Sequence, residues 1–138
     1  MGERFLTRGV TLSEGMILDF ALVYDPQPFH IDAEAARQTI YGGLIASGFQ
    51  TLALGFRLVM DTGLFHGSAM GSPGFDELRW LKPVRPGDTL HLEGEVVELV
   101  PSRTKPQGIA RVKWTAYNQN GEAVYTFNPI AIVPTRPA

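Results

Sequence analysis

From position 48 the chain reads Gly-Phe-Gln-Thr-Leu-Ala-Leu-Gly-Phe-Arg-Leu-Val-Met, ending at Met60. Wound as a helix, this segment is apolar on nearly every side, and such a helix must be covered all round rather than along one stripe. The rest of the chain has to supply that cover as a second layer. Residues 1–138 are about one domain's worth of sequence, enough to bury a core without staples. The segment from Ser47 to Met60 therefore reads as the central helix of a single domain.

The cover is legible downstream. Gly74 to Leu81 suits a strand, and Lys82-Pro83-Val84-Arg85-Pro86-Gly87-Asp88 is a turn-rich connection. From Thr89 to Val100, Leu90, Leu92, Gly94 and Val96 alternate with His91, Glu93 and Glu95, with a break in register at Val96-Val97. Alternation returns from Gly108 to Asn118, Asn120-Gly121 signals a hairpin in which both residues tolerate positive φ, and Glu122 to Val133 is the last strand. Helices first and then an antiparallel meander predict an α+β fold in which a sheet wraps around a helix.

Upstream, Thr11-Leu12-Ser13-Glu14 reads as a capping box with Thr11 as the N-cap. Met16, Phe20 and Val23 follow at helical spacing, and Asp25-Pro26-Gln27-Pro28 ends that helix. A short helix from Asp32 to Gln38, capped by Asp32, comes next.

Composition removes several function classes. With no cysteine, disulfides, thiolate catalysis and Cys-ligated metals are excluded. The three histidines sit at no ligand spacing with a carboxylate, so no metal and no other cofactor is expected. A net charge of −2 with interspersed signs argues against nucleic acid as a partner. Met1 to Val10 holds no apolar run of signal-peptide length, and Asp19 interrupts the stretch Met16 to Tyr24, so no membrane partner and a cytoplasmic location are expected.

The chemistry lies in Tyr24-Asp25-Pro26-Gln27-Pro28-Phe29-His30-Ile31-Asp32. A carboxylate and an imidazole stand five residues apart on a loop stiffened by two prolines. Such stiffness suits two groups that share one water, because misplacement by about an ångström is costly to rate, and imidazole exchanges protons near neutral pH. Taken alone, Asp25 and His30 also fit a turn cap and a loop histidine.

The flanking blocks favour the catalytic reading. Asp25-x-Gln27-Pro28-x-His30 resembles the Asp-x-Asn-Pro-x-His signature of MaoC-like (R)-specific hydratases. Tyr41-Gly42-Gly43-Leu44-Ile45-Ala46-Ser47-Gly48 is similar to that family's loop into the central helix, and Arg79 to Asp88 to its strand and turn before the last hairpins. The resemblance implies a hotdog fold and an acyl-CoA thioester substrate. It implies reversible addition of water to a 2-enoyl-CoA, with Asp25 and His30 activating the water and the Gly48 N–H donating to the thioester carbonyl. Gln27, Gly43, Ser47 and Gly48 would line the substrate. It also implies a homodimer or higher homo-oligomer that joins sheets edge to edge.

This chain departs from the family at Gln27, where the signature has Asn, at Ser47, where the loop often has His, and at Phe56, where some hydratases carry Ser. Ser47 also reads simply as the N-cap of the central helix, and Gly42-Gly43 as a turn or a flexible approach to the thioester. Arg79, Lys82 and Arg85 fit either a solvated surface or contacts to CoA phosphates, and His66 a loop lining the acyl pocket. Tyr24 reads as a packing residue, and His91 as solvent-facing. The same fold also serves hotdog thioesterases and non-catalytic acyl-CoA or acyl-carrier binding modules.

Overall fold

The computed structural model describes residues 2–63, 72 and 74–134. In chain order these form β1 (Arg4–Leu6), β2 (Val10–Thr11), α1 (Glu14–Tyr24), α2 (Pro28–Ile31), α3 (Ala33–Arg37), α4 (Gly48–Asp61), β3 (Gly74–Trp80), β4 (Thr89–Pro101), β5 (Gln107–Tyr117) and β6 (Ala123–Pro134). The sheet runs β1-β4-β5-β6-β3, antiparallel throughout, with β2 on β4. This is the α+β hotdog architecture. His66 lies outside the described residues. Among those described, no helix is long and apolar enough to cross a membrane.

On β4 and β5 the sheet's inner face follows the period of two, with Leu90 and Leu92 and then Ala110, Val112, Trp114 and Ala116 buried; on β6 Val124, Tyr125 and Phe127 are buried. They share one core with Leu58 and Val59 of α4, and the Tyr125 hydroxyl donates to the Thr51 carbonyl across the layer at 2.7 Å. The expected break in β4 is a bulge between Val96 and Glu98.

Several sequence expectations change. Thr11 does not cap α1: it lies in β2, its hydroxyl 2.7 Å from that of Thr89. Ser13 caps instead, accepting from the Met16 N–H at 3.1 Å. Within α1 the buried residues are Ile17 and Ala21, while Val23 is 69% exposed. Tyr24 touches Phe20 but is itself exposed, not core. The strands are not a simple meander, since β3 crosses to the far side of β6 and the unforeseen β1 flanks β4. In the hairpin only Gly121 has positive φ (74°). Asn118 accepts from the Gly121 N–H and its side chain from the N–H groups of Asn120 and Glu122, so a side-chain anchor replaces the second left-handed residue.

The largest change concerns α4. Its start and end agree with the sequence reading, but only one face is covered, through Thr51, Gly55, Leu58 and Val59. Phe49, Phe56 and Met60 on the other face remain exposed. They border an apolar cavity of about 620 Å³ completed by Phe75 and Phe127, among others.

Candidate active site

Three stretches of chain build the site. The first is the break between α1 and α2. Pro26 and Pro28 stop α1 at Tyr24, and Asp25 caps it, its N–H on the Ala21 carbonyl. Pro28 then opens α2, where its missing N–H costs nothing. His30 is therefore on a short helix rather than a loop, and it is buried. The second stretch, Ile45 to Gly48, is stitched to the first through the Ile45 N–H on the Phe29 carbonyl. It is stitched to the third, Trp80 to Val84, through the Ala46 N–H on the Val84 carbonyl.

The Asp25 and His30 side chains meet. His30 Nε2 lies 3.2 Å from Asp25 Oδ2, with side chains only 6% and 14% exposed. His30 Nδ1 lies 2.7 Å from the Ile45 carbonyl oxygen. A carbonyl only accepts, so Nδ1 carries a proton and Nε2 is where the ring gains or loses one. The imidazole is thereby fixed in orientation and tautomer, with Nε2 turned to the carboxylate.

Asp25 has two further partners. Gln27 Nε2 donates to Oδ1 at 2.7 Å and the Ser47 hydroxyl to Oδ2 at 2.7 Å. Burial pulls this carboxyl towards its neutral form, but the bonds from Gln27 and Ser47 and the charge on His30 outweigh it together and hold it below the ordinary carboxylate range. A depressed folded-state pKa contributes stability above the unfolded value, near 4, that is lost as pH falls through the folded value. Wild-type stability should therefore hold down to about pH 5 and then decline more steeply than that of Asp25→Asn. Denaturant melts between pH 7 and pH 2 would check this, and parallel curves for the two proteins would contradict it.

Asp25, Gln27, His30 and Gly48 line one cavity of about 400 Å³, walled by Tyr41, Phe49 and Trp80 among others. Gly48 is the first residue of α4, and its N–H has no acceptor among the described residues, as expected at a helix start. The Trp80 indole packs so close that a Cβ on Gly48 would lie 2.4 Å from it, and Trp80 Nε1 donates to the Gly48 carbonyl at 3.1 Å. Glycine is required there because an aromatic ring occupies the side-chain position.

The remaining sequence candidates fall elsewhere. Ser47 is fully buried behind Asp25 and off the cavity surface. Gly43 does not line the cavity either; it approaches the Arg85 guanidinium. Asp32 caps α3 as expected, accepting from the N–H groups of Glu34 and Ala35. Lys82 reaches the cavity rim but pairs with Glu122, whereas the guanidinium groups of Arg79 and Arg85 form no ion pair among the described residues. His91 is half-exposed, stacked on Tyr117 and paired with Glu93. Phe49 and Trp80 escaped the sequence reading. Trp80 reaches Gly48 because β3 pairs with β6, a contact between distant segments without a local signature.

The family described as "MaoC like domain" matches residues 1–118. The uncharacterized protein YdeM of Bacillus subtilis (strain 168) is 34% identical over 125 residues, covering 91% of this chain and 88% of its own. The crystal structure of a MaoC-like dehydratase from Rhodospirillum rubrum has a TM-score of 0.91 at 38% identity, over 100% of this chain and 94% of its own. An (R)-hydratase from A. caviae involved in PHA biosynthesis has a TM-score of 0.77 at 25% identity, over 96% of both chains.

Proposed function

This chain belongs to the MaoC-like domain family, and from that premise we propose that it is an (R)-specific hydro-lyase adding water reversibly to a 2-enoyl-CoA thioester. The observation that carries the reading is the 3.2 Å approach of His30 Nε2 to Asp25 Oδ2 on the wall of a cavity that Gly48 also lines. Carboxylate and imidazole stand together, and the first residue of a helix lines the same cavity.

In the hydration direction, water bound by Asp25 and His30 gives one proton to that pair as its oxygen adds to C3. The C2–C3 π electrons shift towards the thioester, whose oxygen becomes enolate-like and accepts from the Gly48 N–H. The pair then returns one proton to C2 and is regenerated. Dehydration is the reverse. Because the two groups act on one proton, the roles belong to the pair rather than to either residue.

The apolar cavity beyond Phe49, which borders both cavities, suits the acyl chain. Phe56 faces that cavity where some hydratases carry Ser, so the far end of the acyl chain meets carbon rather than a hydroxyl. Hydration of crotonyl-CoA, followed by loss of the enoyl absorbance, tests the activity, with thiol release measured alongside. Thiol release without hydration across an enoyl-CoA panel would replace this reading with a thioesterase.

The working unit of this reading is a homodimer. β3 is an edge strand of the sheet, and Phe75, Trp80 and Leu81 on or beside it are exposed. Sedimentation at micromolar concentration is expected to give about twice the 15.1 kDa chain mass. A mass of one chain would overturn the dimer.

A further inference from the structure

We propose that Ser47 is a positioning residue that ties the Asp25 carboxylate to the start of α4 and so fixes it relative to the Gly48 N–H. The inference rests on the reading of Asp25 and His30 as the acid–base pair. Ser47 is fully buried and cannot touch a substrate. Its hydroxyl donates to Asp25 Oδ2 at 2.7 Å and accepts from the Phe49 N–H at 3.3 Å. A hydroxyl has one hydrogen and two lone pairs, so a single atom meets both demands.

Capping alone does not explain serine here. Asn, Asp, Ser and Thr cap helices to similar extents. Of these, Asp would face Asp25 with a like charge, and Asn would offer its donor from a longer arm. A short hydroxyl both caps α4 and donates to a half-buried carboxylate one bond away from His30. The consequence is geometric. The group that handles the proton and the N–H that meets the thioester oxygen are held by adjacent residues of one segment, at the separation set by the helix start. Substrate spans that separation from C3 to its carbonyl oxygen, and an error of about an ångström there costs up to about a hundredfold in rate.

The test compares Ser47→Gly, Ser47→Ala and Ser47→Thr. Glycine keeps most of the capping preference without the hydroxyl, which guards against simple unfolding, and threonine keeps the hydroxyl. Two readouts are taken: the pH profile of kcat, and the carboxyl ¹³C titration of Asp25 in unliganded protein, assigned by difference from Asp25→Asn. Of the titratable groups around Asp25, His30 faces it directly, and Tyr41 and Lys82 line the same cavity; all three are unchanged in every variant.

In Ser47→Gly and Ser47→Ala the Asp25 titration and the acidic limb of kcat are expected to move together to higher pH, with kcat lowered about ten- to a hundredfold. Ser47→Thr is expected to follow wild type in both. An Asp25 titration that stays in place in folded Ser47→Gly overturns the proposal, as does Ser47→Thr behaving like Ser47→Gly. The ¹³C titration needs no turnover. If wild type hydrates no enoyl thioester, the functional reading fails, and the titration still decides whether Ser47 holds the carboxylate.

Discussion

Replacing His30 by alanine is expected to lower kcat for enoyl-CoA hydration by about 10²–10⁴, the usual range for an acid–base group. Asp25→Ala is expected to fall as far, because in the proposed mechanism the pair handles one proton and neither member works alone. The two losses should not add. A double variant close to either single one is the signature of a unit, whereas multiplied losses would mean independent roles. Stability needs a separate control at His30. The sequence reading has the two prolines hold this segment. In the structure the buried imidazole also satisfies the Ile45 carbonyl. His30→Ala strands that acceptor at a cost of about 1–3 kcal/mol. His30→Asn offers an amide N–H to the same carbonyl and removes the titrating nitrogen. It is expected to fold better than the alanine variant while being equally inactive. Retention of full activity by both His30→Asn and Asp25→Ala would rule out the mechanism.

The second large effect concerns the Gly48 N–H. Gly48→Pro removes the donor and suits the first helical position, but it cannot be read alone, because any Cβ at 48 meets the Trp80 indole. The informative comparison is made in a Trp80→Ala background. Gly48→Ala/Trp80→Ala restores space and keeps the N–H; Gly48→Pro/Trp80→Ala has the space without the N–H. The second is expected to be slower in kcat by about 10²–10³, the usual loss on deleting one oxyanion donor. Circular dichroism should show α4 intact in both. Equal kcat values would show that the thioester oxygen lies elsewhere.

The sequence yielded the parts of this site that are local and left hidden those made by distant pairing. Asp25 and His30 were visible because two prolines and five residues of spacing fix their relation within one segment. The ends of α4 were visible because Ser47 is a capping residue and the apolar run stops after Met60. The exposed face of α4 was not, since an apolar side chain reads alike whether it meets a sheet or an open cavity. β1 and β2 span three and two residues, too short for a period to register. The position of β3 beside β6 depends on a crossover that alternation within β3 does not encode. Ser47 stood among the candidates for substrate contact because its partner, Asp25, is 22 positions away.

That crossover has a consequence for how the protein comes into being. Leu81 and Lys82 both donate their N–H to the Val124 carbonyl, and β3 pairs with β6 from Gly74 to Trp80. Trp80 can therefore be seated over Gly48 only after the final strand has been made. During synthesis the N-terminal part emerges first and waits for its long-range partners. Asp25, His30, Ser47 and Gly48 are present in the growing chain well before the wall that closes on them. The ribosome thus releases Asp25 and His30 before it releases the wall of the cavity they line.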